Sequence, residues 1–368
     1  MSQALAHEYF SAHGGAERVV EVFHRMHPGA PVYTFFHDRR TYGPLDGYQL
    51  RTSFLQSVPL RSLGGGAHRA LLPLYPRAAA SLRVAPGTDV LLSSTSAFIK
   101  CVSLPDDTVH VAYCHSPTRY LWDWSERYIA EEVPGPLQGM VRSLLPGLRE
   151  ADLHGAKRVD RWIANSDVVR ARIKRYYDRD SEVIHPPVDV DSFRPAAERG
   201  DFWVIVSRLS AYKRVDVAVR AFNEVGMRLI VVGEGRERAA LEKLAGDNVT
   251  FTGRVDDATV KQLLGAARGF VFPAEDDFGI VCAEALASGA PVVALGRGGA
   301  TEIVRDGVDG ALVAEPEPDL FATAVRRVEQ AGFDPTALRL SARRFDVSRF
   351  ESRIRASLER ARAEGRTT

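Results

Sequence analysis

Cysteine is scarce in this chain. Cys101, Cys114 and Cys282 form no CxxC and no even set, so neither a disulfide framework nor a cysteine-held metal site is expected. Reduced thiols in a cytoplasmic protein are the simplest reading. Long apolar runs are missing too, and with them any stretch able to span a bilayer. The opening "MSQALAHEYFSAHGG" has no basic start followed by a long apolar core, so no signal peptide is expected. Net charge is close to nil, at +1, which leaves no global field of the kind that gathers nucleic acid. Paired His and Cys ligands, a nucleophile elbow and a Gly-x4-Gly-Lys-Ser/Thr loop are all absent. Those absences argue against a metallohydrolase, a serine hydrolase and a P-loop kinase. One shortage is local. Between Gly47 and Thr88 there is no Asp or Glu, yet Arg51, Arg61, Arg69, Arg77 and Arg83 fall there among leucines, with Gly64, Gly65 and Gly66 as a joint. Such a stretch suits peripheral contact with an anionic membrane, each basic residue adding about 1 kcal/mol. Equally, it suits a core helix whose arginines pair with acids elsewhere in the fold.

What is present reads as a globular protein with sizeable cores: 368 residues, 45% hydrophobic and 26% charged. At roughly 100–200 residues per domain, that length implies two domains. Short β-branched runs alternate with amphipathic stretches. In the second half the pairs are "DFWVIVSRL" with "VDVAVRAFNEV", "MRLIVVGEG" with "RERAALEKLA", "NVTFTGRV" with "ATVKQLLGAAR", "GFVFPAEDD" with "GIVCAEALAS", and "PVVALGRGG" with "ATEIVRDG". Each is strand, loop, helix, and near-continuous apolar strands imply a parallel sheet covered on both faces. The first half is noisier, with "PVYTFFHD", "DVLLSSTS", "TVHVAYCHS" and "RWIANSD" as strands. Pro186 and Pro187, in "EVIHPPVDVDSFRP", hold the chain extended and mark the boundary. The expected division is residues 1–186, residues 187–345 and a charged amphipathic helix in 346–368. Two doubly wound α/β domains would leave a cleft between them, with ligands beyond the carboxyl ends of the strands.

Several strand ends carry candidate chemistry. Arg208 ends "DFWVIVSR", and Lys213 comes at the expected start of a helix. Two cations there suit a phosphate group, Arg by paired donors and Lys as a point charge; the alternative is a solvated basic loop. Gly14 and Gly15 precede a helix and would let a ligand approach the backbone, or simply make a helix-entry turn. Their spacing is not the dinucleotide G-x-G-x-x-G. His115, in "AYCHSPTRYLWDW", comes just after a strand and could serve a ligand hydroxyl or phosphate, or be structural. The richest stretch is "PAEDDFGIVCAEALASGAPVV". Glu275 and Asp276 end a strand, and the first turn after Phe278 and Gly279 offers N–H groups through Ile280 and Val281. Glu284, eight residues after Asp276, sits in an otherwise apolar helix. The acids before the turn could merely cap it, but capping leaves an acid at 284 unaccounted for.

Together, "SRLSAYKRVDVAVRAFN", "VVGEG", "FTGRV", "HPPVDVDSF" and "FVFPAEDDFGIVCAEALASGAPVVALGRGGATEIVRDGVDGALV" resemble the retaining glycosyltransferases of family four, which have the GT-B fold. The likeness runs over about residues 1–350. "YCHSPTRYLWD" and "GGAERV" resemble one branch, the bacterial O-antigen mannosyltransferases that use GDP-mannose. That family carries Glu, seven residues, Glu; here the pair is Asp276 and Glu284, so the first acid is one methylene short and Glu275 stands beside it. The resemblance implies a GT-B chain whose last helix packs back on the first domain. It assigns Arg208 and Lys213 to the donor diphosphate and Glu284 to the ribose. Asp276 and the N–H groups of Phe278, Gly279 and Ile280 go to the donor sugar, Val281 N–H to phosphate, and Arg254 and Val255 to the base. Gly14 and Gly15 would close over the diphosphate, and His115 would touch the sugar near the reacting carbon. Arg119 and Tyr120 are candidate acceptor contacts. The implied reaction is transfer of a hexose from a nucleoside diphosphate to an acceptor hydroxyl with retention, without metal or cofactor, on a glycan, lipid-linked or small-molecule acceptor. Rival readings are a tailoring enzyme using another sugar nucleotide, an epimerase on the same architecture, and a non-catalytic sugar-nucleotide sensor.

Overall fold

The computed structural model describes residues 2–58 and 67–366. Residues 59–66, with Arg61 and the glycine joint among them, lie outside the described residues. The chain forms two compact units, Met1–His185 with Phe350–Thr368, and Pro186–Arg349.

The first unit is built on seven parallel strands: β1 (Gln3–His7), β2 (Pro31–Thr34), β3 (Gln49–Thr52), β4 (Val90–Thr95), β5 (Val109–Cys114), β6 (Arg161–Ala164) and β7 (Ser181–Val183). Their order is β3-β2-β1-β4-β5-β6-β7. The chain therefore runs outward from β1 to β3, then crosses back to β4 and proceeds the other way. That reversal, between β1 and β4, is where a doubly wound sheet opens a crevice at its carboxyl edge. Every residue of β4 and β5 is buried, as a sheet covered on both faces requires. The register sets His7 beside Ser94 and Thr95 beside Cys114, so His7, Ser94 and His115 share one edge. The helix Val347–Glu364 contributes Phe350, stacked on Phe23 at 5.8 Å and edge-on to Tyr113 at 5.7 Å.

The second unit has six parallel strands: β8 (Phe202–Val206), β9 (Arg228–Val232), β10 (Val249–Gly253), β11 (Gly269–Phe272), β12 (Val292–Leu295) and β13 (Gly310–Val313). Their order, β10-β9-β8-β11-β12-β13, reverses between β8 and β11. Alternate side chains feed two cores. Val204, Phe270, Phe272 and Val292 pack with the helix Ile280–Ala287. Trp203, Ile205, Val271 and Val293 face the opposite layer with the helices Val215–Val225 and Pro318–Ala331. This is the period-2 pattern of a strand buried on both sides. The reversal leaves the ends of β8 and β11, carrying Arg208 and the acidic run, next to each other.

Candidate functional site

In the second unit the polypeptide leaves β11 through Pro273 and Ala274, both buried, and delivers an exposed Glu275 and a mostly buried Asp276. Gly279 then takes a left-handed conformation, φ 82°, and caps the helix Ile280–Ala287. Gly279, at the N-cap, has no side chain to cap that helix, and no acid lies in its first turn. Cys282 N–H is taken by Gly279 O at 2.8 Å, so Ile280 and Val281 carry the first two N–H groups of the helix, for which it has no intrahelical acceptor. Glu284 is only 5% exposed, between Ala283 and Ala285.

Lys213 Nζ donates to Asp276 Oδ2 in an ion pair whose members are 14% and 19% exposed. The ammonium also lies over Tyr212, 5.0 Å from its centroid, and over Phe272 at 5.9 Å. The expected helix start is displaced. Lys213 closes a short 3-10 turn, Ala211–Lys213, then Arg214 turns left-handed at φ 50° before the helix Val215–Val225 begins. Arg208 is exposed and makes no ion pair with a described residue. Arg254 is likewise exposed, just past β10, with Val255 half-buried beside it.

Two glycine pairs that the sequence pattern did not single out hold these loops in place. A Cβ on Gly299 would stand 2.3 Å from Phe278 Cα and 2.5 Å from Asp277 O; one on Gly298 would stand 2.4 Å from Asp276 O. Gly299 N–H donates to Asp276 O at 2.9 Å. The loop after β12 thus lies backbone to backbone on the acidic turn. In "VVGEG", a Cβ on Gly233 would meet Ser207 O at 1.9 Å, and one on Gly235 would meet Leu209 O at 1.9 Å. Leu209 N–H donates to Glu234 O at 2.9 Å, so the segment carrying Arg208 is tied to the end of β9. The signal was in the letters, as glycines at strand ends, where close backbone approach is their commonest reason.

In the first unit, Gly14 caps the helix Gly15–Met26 with an extended backbone. A Cβ there would lie 2.9 Å from Glu17 Oε2, so its missing side chain makes room for that carboxylate. His115 Nε2 lies 2.8 Å from Ser94 Oγ, and His7 Nδ1 lies 3.1 Å from the same oxygen. Burial, with His7 close by, pushes the His115 imidazole down to about 3, which keeps it neutral near pH 7. Arg119 stacks over Trp124 at 4.6 Å, and burial raises the Tyr120 hydroxyl far above its usual range.

A buried charged network behind this edge was not expected from the sequence. Glu8, 3% exposed, accepts from Ala97 N–H at 2.7 Å, Ser96 N–H at 3.2 Å and Ile99 N–H at 3.3 Å. Burial raises its carboxyl, with Lys100 and these N–H groups opposing. Lys100 pairs with Asp152 at 2.6 Å, and Asp152 also accepts from Thr118 at 2.6 Å, Tyr177 at 2.8 Å and Trp122 at 3.0 Å. Every lone pair direction of Asp152 is used, as a buried ion pair requires. The network braces the loop after β4. A charged residue ending an apolar strand, as in "ALAHE", was the available signal.

Of the acid-free stretch, Arg51, Arg77 and Arg83 are exposed, and none forms an ion pair with a described residue. For these three, the alternative in which they pair with acids finds no support among the described residues. Among the described residues no three His, Cys, Asp or Glu side chains are grouped to hold a metal ion, and no helix is long and apolar enough to cross a membrane.

Residues 201–330 match the family model described as "Glycosyl transferases group 1". Over 251 residues the chain is 32% identical to a D-inositol 3-phosphate glycosyltransferase of a Nocardioides species, covering 56% of this chain and 54% of that protein. The namesake of Mycolicibacterium paratuberculosis is 32% identical over 192 residues, 45% of this chain and 44% of that one. The chain spans about half the length of the curated relatives it matches. Among solved structures, Anabaena Alr3699/HepE in complex with UDP-glucose superposes with a TM-score of 0.68 at 19% identity, over 98% of this chain and 100% of that chain. Sucrose-phosphate synthase of Thermosynechococcus elongatus gives 0.69 at 16% identity, over 99% and 100%. These likenesses establish the two-sheet GT-B fold, and residues 201–330 carry a domain of the glycosyl transferases group 1 type.

Proposed function

We propose that the protein transfers a hexose from a nucleoside diphosphate sugar to an acceptor hydroxyl, with retention at the anomeric carbon. The observation that carries this reading is the Lys213–Asp276 ion pair, set just before the helix Ile280–Ala287 that carries the Ile280 and Val281 N–H groups and the buried Glu284, all within the matched segment. Each group has a chemical use. Cleaving the glycosidic bond leaves extra negative charge on the diphosphate. Arg208, Lys213 and the helix N-terminus stabilise that charge from fixed positions. Sugar and ribose hydroxyls are donors, so carboxylates suit them, Asp276 for the hexose and Glu284 for the ribose diol. Arg254 and Val255 serve the base. From the first unit, Gly14, Gly15 and His115 serve the diphosphate and the transferred sugar, and Arg119 and Tyr120 the acceptor. Protein cations do the neutralising that a divalent ion performs in other enzymes, so no metal or cofactor is needed.

GDP-mannose is the donor we favour, because "YCHSPTRYLWD" and "GGAERV" resemble the O-antigen mannosyltransferases. The acceptor is then a glycan or lipid-linked sugar at the cytoplasmic face of a membrane. Arg51, Arg77 and Arg83, exposed and without an ion pair to a described residue, support peripheral attachment there. A second reading has a UDP-sugar donor and a soluble phosphorylated polyol as acceptor. It is favoured by the curated relatives and by the UDP-glucose held by the Anabaena protein. Binding and hydrolysis across GDP-, UDP-, dTDP- and ADP-sugars decide between them. Sedimentation with anionic and neutral liposomes at low and high salt tests attachment. Equal recruitment by both would remove the membrane from the account.

A further inference from the structure

Ser94, next to last in β4, is fully buried, with its hydroxyl oxygen 2.8 Å from His115 Nε2 and 3.1 Å from His7 Nδ1. A hydroxyl has one proton, so between two neutral imidazoles it donates to one and accepts from the other. The tautomers of the two rings are therefore coupled through Ser94. Either His115 carries its proton on Nε2 and His7 on its own Nε2, or both carry it on Nδ1.

Glu17 breaks this symmetry. Its Oε1 lies 3.7 Å from His7 Nε2, and its side chain reaches back over Gly14, where a Cβ would come within 2.9 Å of Oε2. At 3.7 Å the contact is too long for a hydrogen bond, but the carboxylate's charge still acts on the facing nitrogen. His7 is 2% exposed, so little water screens it. A carboxylate favours N–H over a bare lone pair on the facing nitrogen. With the proton on His7 Nε2, His7 Nδ1 accepts from Ser94 O–H, and Ser94 Oγ accepts from His115 Nε2–H. His115 Nδ1 is then left as a lone pair, and it makes no hydrogen bond with a described residue. Asn165 Nδ2, donating to His115 O at 3.0 Å, fixes the backbone behind the ring.

We propose that Glu17, His7 and Ser94 are positioning residues that hold His115 as its Nε2–H tautomer, so that it presents Nδ1 as a hydrogen-bond acceptor. Its use rests on the glycosyl-transfer reading. An acceptor nitrogen takes a hydrogen bond from a substrate hydroxyl and cannot grip a phosphate oxygen, which needs an N–H. Of the two ligands that the sequence allows His115, the relay selects the hydroxyl.

The test reads the ring nitrogens directly. The full chain is labelled with 15N-histidine and studied near pH 8, where imidazoles are neutral. The His115 signals are those lost in His115→Gln. Expected is a pyrrole-type Nε2 and a pyridine-type Nδ1. Ser94→Ala and Glu17→Gln should each move His115 toward a mixture with protonated Nδ1, and Ser94→Thr should restore the parental pattern. A parental His115 protonated on Nδ1 overturns the proposal, as does a pattern that neither variant moves. Should a variant fail to fold, the parental spectrum alone still decides the tautomer. Turnover is read separately: Ser94→Ala should lower kcat severalfold with KM for the sugar nucleotide near parental. If no sugar nucleotide is turned over, the transfer reading fails while the tautomer result stands.

Discussion

Lys213 and Asp276 sit in one ion pair although the proposed chemistry gives them different ligands, a phosphate and a sugar hydroxyl. A lysine has three donors, so it can keep the carboxylate and still reach a phosphate oxygen. Losing either charge should then disturb both ligands. Lys213→Ala and Arg208→Ala are each expected to lower turnover at saturating donor by on the order of 10²–10³, the usual effect of removing one fixed donor from a developing anion. Asp276→Asn should reduce transfer more than Glu275→Gln, because Asp276 faces the ammonium while Glu275 is exposed. Steady-state kinetics of the four variants check this, and the reverse order for the two acids would shift the site by one residue. His110 contributes to acid sensitivity, as His115 does with an imidazole held equally low. His110, fully buried in β5, contacts Ser93 Oγ at 2.8 Å, and burial pushes its imidazole down to about 3. Its folded pKa is below the unfolded value, so between about pH 6.5 and 3 the unfolded chain binds the extra proton. Stability from this group is therefore full near neutrality and falls as the pH drops. Between pH 7 and 5 the loss is about 2 kcal/mol. Urea unfolding at both pH values should show it, and His110→Gln should reduce the difference by that amount.

At the scale of elements, the strand–loop–helix rhythm was readable because parallel strands buried on both faces leave unbroken apolar runs. "GFVF" and "PVVAL" correspond directly to β11 and β12. The corner built from "AEDDFGIV" was readable too, since Gly279 marks the turn and Glu284 is conspicuous among alanines. What could not be read is how separate strand ends lean on each other. The 3-10 turn before Arg214, the Glu17 carboxylate folded over Gly14 and the Lys100–Asp152 pair join residues far apart in sequence or depend on backbone conformation. Neither periodicity nor local spacing encodes such contacts. Gly298 and Gly299 show the same limit, reading as a loop and acting as the bed of the acidic turn. Gly299→Ala would set a Cβ 2.3 Å from Phe278 Cα and 2.5 Å from Asp277 O, both backbone atoms that cannot step aside singly. Displacing the turn should destabilise by roughly 1–3 kcal/mol and weaken donor binding as well. Chemical denaturation and donor titration of Gly299→Ala check the two effects. An unchanged affinity would mean that the turn does not hold the donor.

On the scale of the whole molecule, each unit has its own sheet and its own buried clusters. The chain passes through the first, completes the second, and then returns Phe350–Thr368 to the first. Phe350 is 2% exposed between Phe23 and Tyr113. On the same helix, Arg353 donates to Val183 O, and Arg360 pairs with Glu182 at 2.7 Å. Local position in the sequence would link Phe350 to the second unit, which ends at Arg349; packing links it to the first. Chains of two units generally depart from two-state unfolding, so separate transitions should be resolvable by calorimetry. A nucleoside diphosphate held by the Lys213 corner raises chiefly the transition of the unit that supplies most of its contacts, by up to RT ln(1 + [L]/Kd), about 2.7 kcal/mol at a hundredfold excess over Kd. That shift labels the second unit's peak. Phe350→Ala removes a buried ring, at about 3–5 kcal/mol. Each kcal/mol moves the midpoint of a domain this large by roughly 2–4 °C. The expected result is a fall of the other peak by on the order of 10 °C, with the nucleotide-sensitive peak and its response to nucleotide left in place. A fall of the nucleotide-sensitive peak alone would assign the last helix to the second unit and contradict the packing of Phe350 on Phe23 and Tyr113.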